Sequence, residues 1–484
     1  MSDQPAGPGG NISRRRFLES AAAATGSGLA LLAAAPAPAE QPAGQQVKRA
    51  TQTDYDVIVI GGGFSGVTAA RDCRKNNLRT LLLEAKSRLG GRTFDTQFRG
   101  HHIELGGTWV HWTQPSVWAE IERYGVEVEE TPGALPDRVI VVDGAERSAF
   151  ATESRIEEIV AAMTSYFAES AVVWERPYDS SYRWKEIEKR DSMSAADRLK
   201  QIQLNPMQRG FLVSVLEAMG HCPIEQASYV EMLRWYALSL NSWGTALDAL
   251  SRYKMPAGTG ALARRIAADG GAEVRLNAPV TRIEQRNGVV LVSPRGASAI
   301  SARAVILAVP PRVLKNIEFV PGLSDAKIAA SRAAYPASGI KFYAEVKGRL
   351  GKVEWAAAST PGAGLFWTYA ELESTTLLVG FLPRANEVDG NDESAIQAVL
   401  RKFEPDLEVL GCTSYAWGSD PYALGTYTGF APGATTRYFA ELARAEGQIF
   451  MAGGDIGDNG WRNFIDGAIT RGARIAREVS ERLA

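Results

Sequence analysis

The sequence predicts an α/β protein in which a Rossmann-like dinucleotide-binding domain is interrupted by an inserted domain of mixed sheet and helices. Three observations carry this. Residues 55–66 read YDVIVIGGGFSG, an apolar strand that runs into Gly61, Gly63 and Gly66 and on into the helix-compatible stretch Phe64–Arg74. A second glycine-rich segment returns near the other end of the chain as QIFMAGGDIGDNGWRNFIDGA, residues 448–468. At 484 residues the chain also exceeds what one hydrophobic core fills, so two domains are expected.

Each element of the first motif has a physical reason. Gly61 permits the tight turn after the strand, Gly63 lets backbone approach a pyrophosphate, and Gly66 lets the helix pack on the strand. Ser65 sits in the same turn, where free N–H groups and the helix dipole favour phosphate. The next strand, Thr80–Leu83, ends at Glu84 and Ala85, and Glu84 follows Gly61 by 23 residues, where a carboxylate takes ribose hydroxyls. Gly90 and Gly91 then precede Arg92, which places a guanidinium beside the pyrophosphate. Gly106 and Gly107, followed by Thr108 and Trp109, allow backbone against a flat ring. A nicotinamide enzyme needs neither of these two segments.

From Thr108 to about Tyr253 the pattern is mostly helical, with apolar spacing over 155–173, 193–203, 205–219 and 226–240. One hairpin interrupts it at RVIVVDGAERSAF, turned by Asp143-Gly144. A glycine turn in YKMPAGTGAL (253–262) opens another helix, and 272–294 form a strand meander turned by Asn287-Gly288. AVILAVPP (304–311) contains a buried strand. Residues 335–417 hold strands at Lys341–Val346, Leu365–Tyr369 and Thr376–Phe381 and a helix at Glu393–Lys402, suggesting a mixed sheet. The strand Gln448–Ala452 and a helix from about Gly467 end the chain. The nucleotide domain is therefore assigned to 54–115, 254–332 and 418–484, and the substrate domain to 116–253 and 333–417.

A net charge of −2 and a pI near 6.2 provide no field for nucleic acid or anionic membranes. The three cysteines and four histidines have no metal-ligand spacing, so no metal centre is expected, and the odd cysteine number argues against a disulfide framework. At the N-terminus, Ser13-Arg14-Arg15-Arg16-Phe17-Leu18 fits the bacterial twin-arginine export pattern. A weakly apolar run (Ala21–Ala35) and a small-residue site at Ala37-Pro38-Ala39 follow. The run is too short for a membrane span. Residues 1–39 therefore read as a signal peptide and 40–53 as a linker, with the mature protein periplasmic or exported.

The block LEAKSRLGGRT with ELGGTW resembles the flavin-containing amine oxidases, and the resemblance extends from about Tyr55 to Leu483. It implies a glutathione-reductase-type FAD-binding domain with an inserted substrate domain. Carried onto matching positions, it implies that Gly61, Gly63, Ser65, Gly66, Glu84, Ala85, Gly91, Arg92, Gly107, Thr108, Trp109, Val280, Gly454, Asp455 and Ile465 contact FAD. Val280 would do so through its backbone at the adenine, and Asp455 stands where glutamate is commoner. Lys341 matches the lysine that holds a water at flavin N5, and strand alternation turns it away from Ile340 and Phe342. Tyr427 and Phe464 match the two aromatics that flank the substrate nitrogen. Thr426 replaces the cysteine that tethers flavin in covalent members, which implies noncovalent FAD.

The implied reaction is hydride transfer from the amine α-carbon to flavin N5, then imine hydrolysis. GGTWVHWTQPSVW, MLRWYALS, SRYKMPAGT and AGGDIGDNGWRNFIDGAI are most similar to the nicotine-degrading bacterial members of the family. They imply as substrate pseudooxynicotine, a pyridyl-ketone secondary amine, with an aldehyde and methylamine as products. Trp109, Trp367, Tyr427 and Phe464 would line the pocket. Other readings are a nicotine, monoamine or polyamine oxidase, an L-amino acid oxidase using an arginine such as Arg234 or Arg252, and a non-catalytic flavoprotein electron carrier. The electron acceptor is O2 or a periplasmic cytochrome or quinone, and a homodimer is the family expectation.

Overall fold

Val57, Ile58, Val59 and Ile60 are buried without alternation because the strand that carries them, Tyr55–Ile60, is covered on both faces. It lies between two parallel neighbours, Thr80–Leu83 and Ile300–Leu307. The computed structural model describes residues 53–484 apart from Ala334 and Thr428. The expected signal peptide and nearly all of the expected linker lie outside the described residues.

The first sheet runs in the order Glu318–Val320, Val280–Arg286, Val289–Pro294, Ile300–Leu307, Tyr55–Ile60, Thr80–Leu83, Glu273–Arg275. Ile300–Leu307 divides its pairing. Its first half is antiparallel to Val289–Pro294, and its last residues are parallel to Ile449–Met451. The two glycine-rich motifs, nearly 400 residues apart in the chain, therefore leave the sheet at the same edge, the carboxyl ends of parallel strands.

The second sheet has seven strands, in the order Val409–Ser414, Ile340–Lys347, Thr375–Leu382, Gly364–Glu371, Val353–Ala358, Arg138–Asp143, Glu146–Ala151. It is mixed, since Val353–Ala358 runs parallel to Arg138–Asp143 while the other pairs are antiparallel. Two of its strands, Val353–Ala358 and Val409–Ser414, were not among those expected. VEWAAA is buried at all six positions, so it carries no period-two signal.

The helices also depart from expectation in detail. The stretch 155–173 is two helices, Thr152–Tyr166 and Ser170–Val173, and 193–203 contracts to Ala195–Leu199 behind a Ser194–Asp197 capping box. Helix Pro206–Gly220 starts at an Asn205–Gln208 capping box and stops at His221, which takes a left-handed conformation with φ 52°. It packs on the face of the second sheet, with Phe211, Leu212, Val215 and Met219 in one core with Val139, Val141, Trp367 and Val379. The space between this helix, this sheet and the edge of the first sheet is the cavity described next.

Candidate active site

At one end the cavity is made of backbone. Gly61 has φ +103°, and a Cβ there would press on the Ala308 carbonyl. A Cβ on Gly66 would collide with the Gly61 carbonyl oxygen, so the helix can approach the strand only because Gly66 has none. Helix Phe64–Lys75 is capped by Gly63 with no side-chain cap and no acidic residue in its first turn. Its end is thus left open to a negatively charged group. Ser65 Oγ accepts from Gly453 N–H at 2.9 Å, tying the two glycine motifs together. Glu84 Oε2 accepts from Gly62 N–H at 2.5 Å and Oε1 from Lys86 N–H at 2.8 Å, which fixes the carboxyl at the rim. Burial raises its pKa, and these two amides work against that.

In the middle, Gly90 N–H donates to Gly62 O at 2.9 Å, pinning the second glycine pair beside the first. Arg92 makes a bidentate pair with Asp455 at 2.8 and 2.6 Å and donates to Thr426 O at 3.2 Å. Lys341, only 3% exposed, donates to Gly106 O at 3.1 Å and to Thr108 Oγ1, and its ammonium lies 4.5 Å from the centre of the Trp109 ring. Burial pulls the pKa of Lys341 well down, opposed by the negative charge of Glu104, whose own carboxyl burial pushes up. Glu104 accepts from Thr259 N–H, while its other oxygen is buried with no hydrogen-bond partner.

The other end is made of side chains. Trp109, Trp367 and Phe381 form one ring cluster, with Trp109–Trp367 at 5.2 Å and Trp367–Phe381 stacked at 5.5 Å. Facing it is a second cluster in which Trp235 touches both Tyr427 (6.0 Å) and Phe464 (4.8 Å). Tyr427 is held by Oη donating to Met219 O at 2.7 Å, and its ring stacks on His221 at 5.6 Å. Burial pushes the His221 imidazole down to about 4, so it is neutral at pH 7. Behind these rings, Glu231 bridges two fully buried arginines, accepting from Arg462 and, at 2.9 Å, from Arg234. Arg234 precedes Trp235, and Arg462 lies two residues before Phe464, so this triad fixes the wall.

The cavity has a volume of about 540 Å³ and gathers most of the expected residues. Gly61, Gly63, Ser65, Glu84, Ala85, Gly91, Arg92, Gly107, Thr108, Trp109, Val280, Gly454 and Ile465 line it, as do Lys341, Trp367, Tyr427 and Phe464. Two do not reach it: Gly66 is in the helix–strand contact and Asp455 lies behind Arg92. Trp461 is fully buried behind Phe464 at 4.9 Å, with its indole donating to Thr113 O. Asp466 caps helix Pro115–Tyr124, accepting from Ser116 and Val117 N–H. Residues not anticipated by the sequence also line the cavity, among them His221, Glu354 and Asn463. Asn463 and His221 have left-handed backbones, with φ of 75° and 52°.

The model of the family described as flavin containing amine oxidoreductase matches residues 64–480. Pseudooxynicotine dehydrogenase from Pseudomonas sp is 39% identical over 98% of this chain and 96% of its own length. Nicotine dehydrogenase from Pseudomonas putida (strain DSM 28022 / S16) is 36% identical over 98% of each chain. Wild-type putrescine oxidase bound to putrescine has the same fold, with a TM-score of 0.75 at 23% identity, over 88% of this chain and 98% of that one.

Proposed function

The chain belongs to the flavin-containing amine oxidoreductases, enzymes acting on amines, and from that premise we propose that it oxidises pseudooxynicotine to an imine that water cleaves to an aldehyde and methylamine. The observation that carries this reading is the aromatic cavity continuing from the glycine turns past Lys341, with flat walls of Trp109, Trp367 and Phe381 against Trp235, Tyr427 and Phe464. Such walls suit an aryl amine, and the 39% identity to a pseudooxynicotine dehydrogenase selects the pyridyl ketone among them. FAD, when bound, supplies the acceptor for the hydride of the amine α-carbon.

The residues present fit FAD. The Gly61–Gly63 turn and the open helix end would take the pyrophosphate, Glu84 the ribose, and Arg92, already oriented by Asp455, the negative charge beside it. Gly454 and Ile465 would lie along the rest of the cofactor. Tyr427 and Phe464 would orient the amine, and Lys341, anchored on Gly106 O and Thr108 Oγ1, would hold a water at the cofactor's N5. FAD is held noncovalently, a reading supported by the cavity lining, which contains Thr426 and no cysteine. Acid precipitation should therefore release intact FAD, and flavin remaining in the pellet would overturn this.

An L-amino acid oxidase is disfavoured by a specific observation. Arg234 is spent on Glu231, Arg252 pairs with Glu130 and Asp248, and neither lines the cavity. The test is anaerobic bleaching of the flavin by a panel of pseudooxynicotine, nicotine, aliphatic amines and L-amino acids. Fast bleaching by pseudooxynicotine is expected, and bleaching only by amino acids would reverse the assignment. The acceptor is oxygen or a periplasmic cytochrome or quinone, distinguished by the rate of reoxidation of reduced enzyme with each. The twin-arginine reading rests on residues outside those described. It is tested by Arg14→Lys with Arg15→Lys, which should abolish export of a mature chain beginning near Glu40.

A further inference from the structure

Glu354 is the second residue of the otherwise apolar strand VEWAAA, and it faces the cavity, 6% exposed, directly opposite Trp367 on the neighbouring strand. No hydrogen bond or ion pair reaches its carboxyl from any described residue. No charged or titratable group of the flanking strands, of helix Pro206–Gly220 or of the Pro132–Ala134 turn acts on it. Burial alone does, and pushes it up to about 8. Its cross-strand partner Trp367 has its indole Nε1 buried without a hydrogen-bond partner. Buried polar groups are nearly always paired, and leaving one unpaired costs stability. The fold does not use this carboxyl, which points to a ligand.

Its place in the sheet says which part of the ligand. Lys341, Phe381, Leu365 and Ala356 stand in register on four adjacent strands, and Glu354 is two residues along from Ala356 on the same face. Three strand spacings, with a two-residue offset along the strand, put Glu354 roughly 16 Å from Lys341 across the sheet. It therefore lies at the end of the cavity away from the glycine turns. With no cation near it and an apolar surround, the carboxyl is an O–H donor at neutral pH, and the indole N–H of its cross-strand partner Trp367 is a second donor.

We propose that Glu354, with Trp367 Nε1, is the recognition site for the substrate end remote from the amine, and that it donates a hydrogen bond to an uncharged acceptor, an aromatic ring nitrogen or a ketone oxygen. The identity of that substrate rests on the function proposed above, but the site can be tested without turnover.

The test is the binding of four amine-free probes to the FAD-loaded enzyme, read as perturbation of the flavin spectrum: 3-acetylpyridine, acetophenone, 3-ethylpyridine and ethylbenzene. They carry both acceptors, the ketone alone, the ring nitrogen alone, and neither. In the parent, 3-acetylpyridine should bind about tenfold more tightly than ethylbenzene. The two single-acceptor probes show which atom is taken. Glu354→Leu should abolish that preference, while Glu354→Gln, which retains an N–H donor, should keep most of it. Above pH 8 the preference should fade in the parent and persist in Glu354→Gln. Equal binding of all four probes by the parent, or an unchanged preference in a folded Glu354→Leu, would overturn the proposal. So would tighter binding of 1,4-diaminobutane than of 3-acetylpyridine by the parent but not by Glu354→Gln, since the carboxylate would then be pairing with a cation. If the parent shows the acceptor preference yet pseudooxynicotine fails to bleach it, the substrate reading falls and the Glu354 site stands.

Discussion

Two buried carboxyls stand at opposite ends of the same cavity, and they are treated differently by the fold. Glu84 receives two backbone N–H groups, from Gly62 and Lys86, whereas Glu354 receives none. Around Glu84 the walls are backbone from turns that are short in sequence. Around Glu354 they are side chains from separate strands and a helix. The nucleotide end is thus pre-formed by local geometry, and filling it with atoms should break it. The amine end depends on packed rings, and removing atoms should break it.

The largest effect is expected at the glycine turns. Gly66→Val would drive a side chain into the Gly61 carbonyl, and the backbone there cannot yield without opening the helix–strand contact. Purified protein should carry no flavin and lose on the order of 4 kcal/mol or more in urea unfolding. A yellow, stable Gly66→Val protein would remove the backbone account of that end.

Next is the support behind the aromatic wall. Glu231→Gln leaves Arg234 and Arg462 buried and facing one another without their shared anion, which should cost about 3–5 kcal/mol. Chemical denaturation measures it, and an unchanged midpoint would show that the triad does not hold the wall.

The rings themselves come third. Tyr427→Ala and Phe464→Ala should each slow anaerobic flavin reduction by pseudooxynicotine on the order of 100-fold, about 2.7 kcal/mol, by loosening the amine. Flavin content should stay near parental, and Phe464→Tyr should retain most of the rate. Parental rates in the alanine variants would mean that these rings only pack.

A pH series reads the unpaired carboxyl, Glu354. Glu354 is protonated in the folded chain up to about 8, while unfolded glutamate releases its proton near 4.5. The folded state therefore binds the extra proton, so this group's contribution is fully present below 4.5 and is lost as pH rises toward 8. Glu354→Gln should flatten that decline between pH 5 and 8, seen as a Tm that falls less than the parent's. A parallel decline in both proteins would mean that Glu354 is ionised throughout.

The smallest effect concerns Lys341. Lys341→Met should leave FAD content near normal and change flavin reduction or reoxidation about tenfold, roughly 1.4 kcal/mol. Identical rates in both half-reactions would take the lysine out of the mechanism.

The same contrast separates what was legible in the sequence. YDVIVIGGGFSG announced strand, turn and helix because each glycine answers a local steric demand within a dozen residues. Lys341 and Tyr427 were placed by motif, and the structure brings both to the cavity. Glu354 was not found, since VEWAAA is buried on both faces and shows no alternation to mark it as a strand. Phe464 was placed by motif too and lines the cavity, while Trp461, three residues earlier in the same turn, packs behind it.

By itself, then, the sequence determined the α/β class, the dinucleotide turn and the aromatic supply, all of which follow from short-range sterics and hydrophobic patterning. Tertiary structure alone decided which aromatics face the cavity, that Asp455 serves Arg92, and that Glu354 shares a surface with Lys341. Those outcomes depend on register between strands far apart in the chain, where a slip of one residue turns every side chain to the other face, and no local signal sets that register.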